Sequence, residues 1–152
     1  MKKVVFLLML ISVAFMPLAS ADIVDDMDNK VSEYNANVEY VPSYLKTLLG
    51  NEVIEIAIVT DEGDELYVKA VTEDGYITEF EEIDDDEDIG ASVVLGANEA
   101  TIRTVIRSSD PLDEFIAAKD NGEIVVETVG LVTTAKYTVA NVVMEVSSLF
   151  GF

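Results

Sequence analysis

The sequence predicts an α+β domain: a mainly antiparallel five-stranded sheet covered by helices. Three observations carry that expectation. Between residues 52 and 82, three short runs alternate apolar and polar residues across glycine-containing turns, the pattern of an antiparallel meander. Two further strand-like runs, 91–97 and 123–129, flank two segments whose apolar residues recur at i, i+3, i+4. The C-terminal segment keeps a 3.6-residue apolar period through Leu131, Ala135, Val139, Val142, Val143, Val146 and Phe150. It is too long for an ordinary strand, so it reads as a helix despite its many Val and Thr residues.

In chain order, residues 22–38 are polar and acidic, with Ile23, Val24, Met27 and Val31 at helical spacing. They predict a helix from near Asp22 that ends before Asn35 or Asn37. Pro42 opens a short helix, Ser43 to Leu49, which Gly50 closes. In "EVIEIAIVT", Ile54, Ile56 and Ile58 share one strand face, and Val53, Ala57 and Val59 lie on the other. Asp61-Glu62-Gly63-Asp64 turns the chain into "ELYVKAVT", and Glu73-Asp74-Gly75 turns it into "YITEFEE". The acidic stretch "EEIDDDEDIG" reads as a loop, and "ASVVLGA" as a fourth strand with Ala91, Val93 and Leu95 on one face.

Asn98 suits a helix N-cap, with Glu99 in the first turn and Ile102, Val105 and Ile106 on one face. Asp110 caps a second short helix with Pro111 at its first position. Asp113 and Glu114 sit near its positive end and Lys119 near its negative end, while Leu112, Phe115 and Ile116 form its apolar face. Asn121-Gly122 ends it and leads into "EIVVETV".

The chain has 152 residues, enough for one domain with a core, and 50% of them are apolar, which excludes a disordered acidic tail. Residues 1–21 follow a tripartite export pattern. Lys2 and Lys3 are followed by an apolar run from Val4 to Met16, broken only by Ser12, and then by Ala19-Ser20-Ala21. We expect cleavage after Ala21, with an uncleaved N-terminal anchor as the alternative, a soluble extracytoplasmic protein, and a single domain over 22–152. Removal of that segment takes two lysines and no acid, leaving 30 acids against 7 bases, a net charge of −23. Such a charge argues against nucleic acid and against docking on anionic membranes.

The chain has no Cys and no His. Disulfides are therefore absent, a zinc site is not expected, and the commonest general base and the best protein nucleophile are missing. No enzyme activity, cofactor or metal is expected. The run Asp84, Asp85, Asp86, Glu87 and Asp88 lacks the spaced ligands of a calcium loop and reads as a solvated charge-rich segment.

The segment "ASVVLGANEATIRTVIRSSDPLDEFIAAKDNGEIVVE" carries a resemblance. A strand feeds a helix through a polar turn. A helix then opens at Asp110-Pro111 with Leu112 and Phe115 as L-x-x-F, and Lys119 to Gly122 turn into Ile124 to Val126. Over roughly residues 40 to 145 this order is similar to the sterol carrier protein 2 family. The resemblance implies an apolar tunnel between sheet and helices, a sterol, acyl chain or phospholipid as ligand, and no catalytic residues. On it, Ile102, Val105, Ile106, Leu112, Phe115, Ile116, Val139, Val142 and Val143 are candidate cavity-lining residues. The function expected is that of an exported, non-enzymatic binder or carrier of a hydrophobic ligand. The same residues would equally fill a core, which leaves an acidic extracellular interaction module as the alternative.

Overall fold

The structure is a computed structural model and describes residues 19–130 and 135–150. The expected export segment lies outside these residues except for 19–21, which open the first helix; Leu131 also lies outside. The elements are α1 (Ala19–Ala36), a 3-10 turn (Val38–Tyr40), α2 (Ser43–Leu48), β1 (Val53–Val59), β2 (Glu65–Glu73), β3 (Tyr76–Ile83), β4 (Val93–Asn98), α3 (Glu99–Arg107), α4 (Pro111–Asp120), β5 (Ile124–Thr128) and α5 (Ala135–Phe150). Most strands and helices follow the expected boundaries to within a residue or two, but α1 starts three residues earlier than expected, at Ala19, and the 3-10 turn was not expected.

The strands form one sheet in the order β3-β2-β1-β4-β5. Three pairs are antiparallel and one, β1 with β4, is parallel. The fold class is therefore α+β with a mainly antiparallel sheet, as expected. The parallel pair arises because the chain leaves the β3 edge and passes β2 and β1 before entering β4. The acidic stretch is that crossing. Its first three residues, Glu81, Glu82 and Ile83, belong instead to β3, where Ile83 pairs with Tyr67 and is buried.

Turn chemistry follows the sequence closely. Asp74 and Gly75, with φ of 52° and 84°, form the two-residue link between β2 and β3. Two successive positive φ values match the twist of a tight hairpin, which is why Asp-Gly stands there. The Asn98 side chain accepts from the Thr101 N–H at 2.8 Å, and Asp110 accepts from the Asp113 N–H at 3.2 Å, so both expected caps are made.

The β3 edge is closed by α1. Asn35 accepts from the Ile77 N–H at 2.9 Å and donates to the Ile77 carbonyl at 2.8 Å, copying with one side chain what a neighbouring strand would supply. Tyr34 Oη donates to the Gly75 carbonyl at 2.8 Å beside it.

Strand alternation sends the apolar residues to two separate clusters. Ile54, Ile56, Ile58, Leu66, Val68, Ala70, Val93, Ala97 and Ile124 point to the face covered by α1, α3 and α4. Ala57, Val59, Tyr67, Ile83, Val94 and Val125 point to the face covered by α5.

Candidate functional site

The two faces are filled to different degrees. On the α5 face, one row of the register runs Ile83–Tyr67–Ala57–Gly96–Val125. Two of its central members, Ala57 and Gly96, are the smallest, so α5 settles into the dip that they leave. Val142 and Val146 are at most 1% exposed, as is Val94 beside them. A Cβ built on Gly96 would lie 2.1 Å from Val142 Cγ1, far inside contact distance, so α5 rests directly on β4 at that point.

The opposite face is covered less completely at one place. The middle row there runs Val68–Ile56–Leu95–Val126. Val68 is 0% exposed and Ile56 is 8% exposed, but Leu95 and Val126 are only half-buried. Leu95 lies on β4, which has a strand on each side, so what is missing is cover from above. The residues nearest that gap are half-buried as well: Val105 and Ile106 on α3, and Phe115 on α4. Together they make an apolar trough over β4 and β5. Ile23, Ile102 and Ala118, on α1, α3 and α4, are buried in the same cluster.

A charged tie holds α1 and α3 together at this site. The Glu99 carboxylate is 5% exposed and accepts from Arg103 Nη2 at 2.6 Å and from the Asp61 N–H at 3.2 Å. Arg103 also reaches Asp26 of α1 at 3.3 Å. Removing the guanidinium leaves a buried carboxylate without its cation, which is the costly way to break such a pair. Arg103→Ala is expected to destabilise the fold by about 2 kcal/mol, discounted from the fully buried case because Asp26 is partly exposed. Urea unfolding measures it, and Glu99→Gln in the same background is expected to recover part of the loss.

The nine candidate residues fall on both sides of the sheet. Ile102, Val105, Ile106 and Phe115 belong to the trough side. Leu112 and Ile116 are half-buried on α4 and stand outside both described clusters. Val139, Val142 and Val143 belong to the α5 side. The expectation that the last helix and the two short helices wall one cavity is therefore corrected: the sheet stands between them. Leu95 and Val126, absent from the candidate set, occupy the floor of the trough. Leu95 was legible as an apolar strand residue, but its missing cover is a tertiary feature.

Other charged features are of a different kind. A shallow groove of about 500 Å³ on the outside of α3 and α4 is lined by Asp61, Ala100, Arg103, Thr104, Arg107, Ser108 and Glu114. All of these but Ala100 are charged or polar residues, so it does not suit an alkyl chain. The acidic crossing passes on the α5 side, where Ile89 packs against the second cluster and Asp84 to Asp88 stay exposed. Among the described residues no group of carboxylates is arranged to hold a metal ion, and no helix is long and apolar enough to cross a membrane.

Glu55 lies under that crossing and is 6% exposed. Burial first, and Asp88 second, push its carboxyl above the ordinary glutamate value. A carboxyl whose folded pKa is raised binds its proton more tightly when folded. Its contribution to stability is present below the unfolded pKa and is lost as pH rises through the folded one. Glu55→Gln is thus expected to raise Tm at pH 7, with the gain over wild type vanishing near about pH 3.5. Paired thermal scans at the two pH values check the sign.

Searches of protein families and of curated proteins return no match to the chain. Solved structures do resemble it. Sterol carrier protein 2 is 16% identical, with 76% of this chain and 92% of that chain covered at a TM-score of 0.44. The UbiJ-SCP2 ubiquinone synthesis protein is 14% identical over 80% and 90% of the two chains at 0.40. A conserved hypothetical protein from Thermus thermophilus is 16% identical over 65% and 67% at 0.39.

Proposed function

We propose that the protein is an exported, non-enzymatic carrier that holds a hydrophobic small molecule or lipid in the trough over Leu95 and Val126. The observation that carries this reading is the contrast between the two faces. The same sheet is packed closely under α5, whereas under α3 and α4 Leu95 and Val126 are left only half-buried. Exposed apolar surface of that kind is unfavourable in water, and an alkyl or ring system laid over it recovers about 25 cal/mol per Å² removed from solvent. The sequence resemblance to the sterol carrier protein 2 family supports the same ligand class. The absence of His and Cys supports a role without catalysis. The N-terminal pattern of residues 1–21 supports export.

Residues assigned to binding are Leu95, Val126, Val105, Ile106 and Phe115, with Ile102 behind them. Val139, Val142 and Val143 are assigned to the filled face. Phe115→Trp is expected to weaken lipid uptake about tenfold by adding bulk to the wall, with Tm changed by no more than a few degrees. A large drop in Tm with uptake unchanged would remove Phe115 from the wall.

Native mass spectrometry tests the function itself, on protein taken from its own host in the form that occurs there. A lipid or isoprenoid retained at near one per chain supports the carrier. A clean ligand-free mass that stays unchanged when acyl chains, sterols and phospholipids are offered favours an interaction module with a filled core.

A further inference from the structure

We propose that Glu55 and Asp88 form a latch for the acidic crossing: with Glu55 protonated the crossing is seated on the sheet, and with Glu55 ionised it lifts. The latch lies on the α5 side and stands apart from the trough and from the carrier reading. Glu55 shares its row of the sheet with Glu81, Lys69, Val94 and Glu127. It is 6% exposed, yet among the described residues no donor reaches its carboxylate. Its neighbours are turned elsewhere. Val94 is apolar and 0% exposed. Lys69 sends its Nζ toward β3, to Glu79 at 2.7 Å and Glu81 at 3.4 Å. Tyr67 Oη donates to the Glu65 carboxylate, and Ser92 Oγ donates to that of Glu52. Glu145 of α5 is exposed.

The crossing adds Asp84 to Asp88, all exposed, with Asp88 acting on Glu55 and Asp85 on Tyr67. Among the described residues, Lys69 is the one cation set against the acids of this patch. The crossing is anchored beside Glu55: Gly90 N–H donates to Asp88 Oδ1 at 3.0 Å, and Ile89 packs on the cluster that holds Tyr67 and Ile83. An ionised Glu55 gives up hydration with no donor in return and repels Asp88. Lifting the crossing relieves both effects by letting water in. A protonated Glu55 repels nothing, and its O–H is a donor that the Asp88 carboxylate can accept in a charge-assisted hydrogen bond. The seated form therefore binds the proton more tightly, in line with the raised pKa of Glu55, which comes from burial first and Asp88 second. Low pH holds the crossing down, and its hold is lost as pH rises through the folded pKa.

NMR on the full-length protein, from about pH 4 to pH 8, tests the latch at the methyls of Ile83 and Ile89 and at the Gly90 amide. Wild type is expected to show one common step at these groups, above the usual glutamate range. Glu55→Gln keeps a neutral donor at the position, so the step is expected to vanish and the low-pH shifts to persist to pH 8. Asp88→Asn removes the repelling charge, so the step is expected to move to lower pH. A Glu55 carboxyl that titrates while Ile89 and Gly90 stay still would overturn the proposal. So would a step that survives in Glu55→Gln, or one whose midpoint does not move in Asp88→Asn.

Discussion

Gly96→Ala is expected to destabilise the protein by about 3 kcal/mol, although alanine is no worse than glycine in a strand. Conformational entropy alone favours the substitution by about 0.5–1 kcal/mol. The opposing effect is steric. The added carbon would sit 2.1 Å from Val142 Cγ1 and 3.2 Å from Val146 Cγ2. Val142 cannot turn aside freely: it is β-branched, on a helix, and 0% exposed. Either α5 lifts from β4 or the sheet bends, and overpacking of this kind costs about 1–3 kcal/mol or more. The steric effect wins by a wide margin. The test is a double-mutant cycle. Val142→Ala alone removes buried methyls and is expected to cost about 2 kcal/mol. Combined with Gly96→Ala it makes room for the new carbon, so the pair is expected to cost at least about 1 kcal/mol less than the sum. Strict additivity would mean that helix and sheet do not meet at Gly96.

Leu95→Trp is expected to leave the fold nearly intact and to abolish ligand binding. The site is half-buried, so a larger ring extends into the uncovered space over β4 instead of displacing neighbours. Stability is expected to change by less than about 1 kcal/mol. Affinity for an uncharged lipid probe is expected to fall at least about 100-fold, since the indole occupies the floor on which the ligand lies. The adjacent residue supplies the control. Val94 points to the α5 face and is 0% exposed, so Val94→Trp should unfold the protein or cost more than about 4 kcal/mol. Two neighbouring residues given the same substitution thus report on the two faces separately. Equal destabilisation at both positions would show that the trough is a filled core.

Much of this arrangement was legible in the sequence. Alternation in 53–59 gave both faces of β1, and Asp74-Gly75 gave the tight hairpin. Asn98 and Asp110 gave the starts of α3 and α4, and a 3.6-residue period identified α5 against the β propensity of its valines. These features are local, and local chemistry decides them. What stayed hidden depends on which side of the sheet a helix lands. The apolar stripes of α3 and α5 look alike in sequence, and nothing in Val139, Val142 or Val143 says that a sheet separates them from Ile102 and Ile106. The parallel pairing of β1 with β4 is hidden for the same reason, because it depends on where the acidic crossing delivers the chain. One residue does carry a signal of the filled face. A glycine inside a strand marks close approach by another element, and Gly96 in "VVLGAN" is such a residue.

The central claim is that one face of the sheet takes up a ligand while the other is already full. Methyl-resolved NMR on protein labelled at Ile, Leu and Val, titrated with a long-chain alcohol, tests it most directly. The account predicts shifts or broadening at the methyls of Leu95, Val126, Val105 and Ile106, with those of Val94, Val142 and Val146 unmoved. Shifts confined to the Val94, Val142 and Val146 methyls, or none at any of them at saturating alcohol, would contradict it.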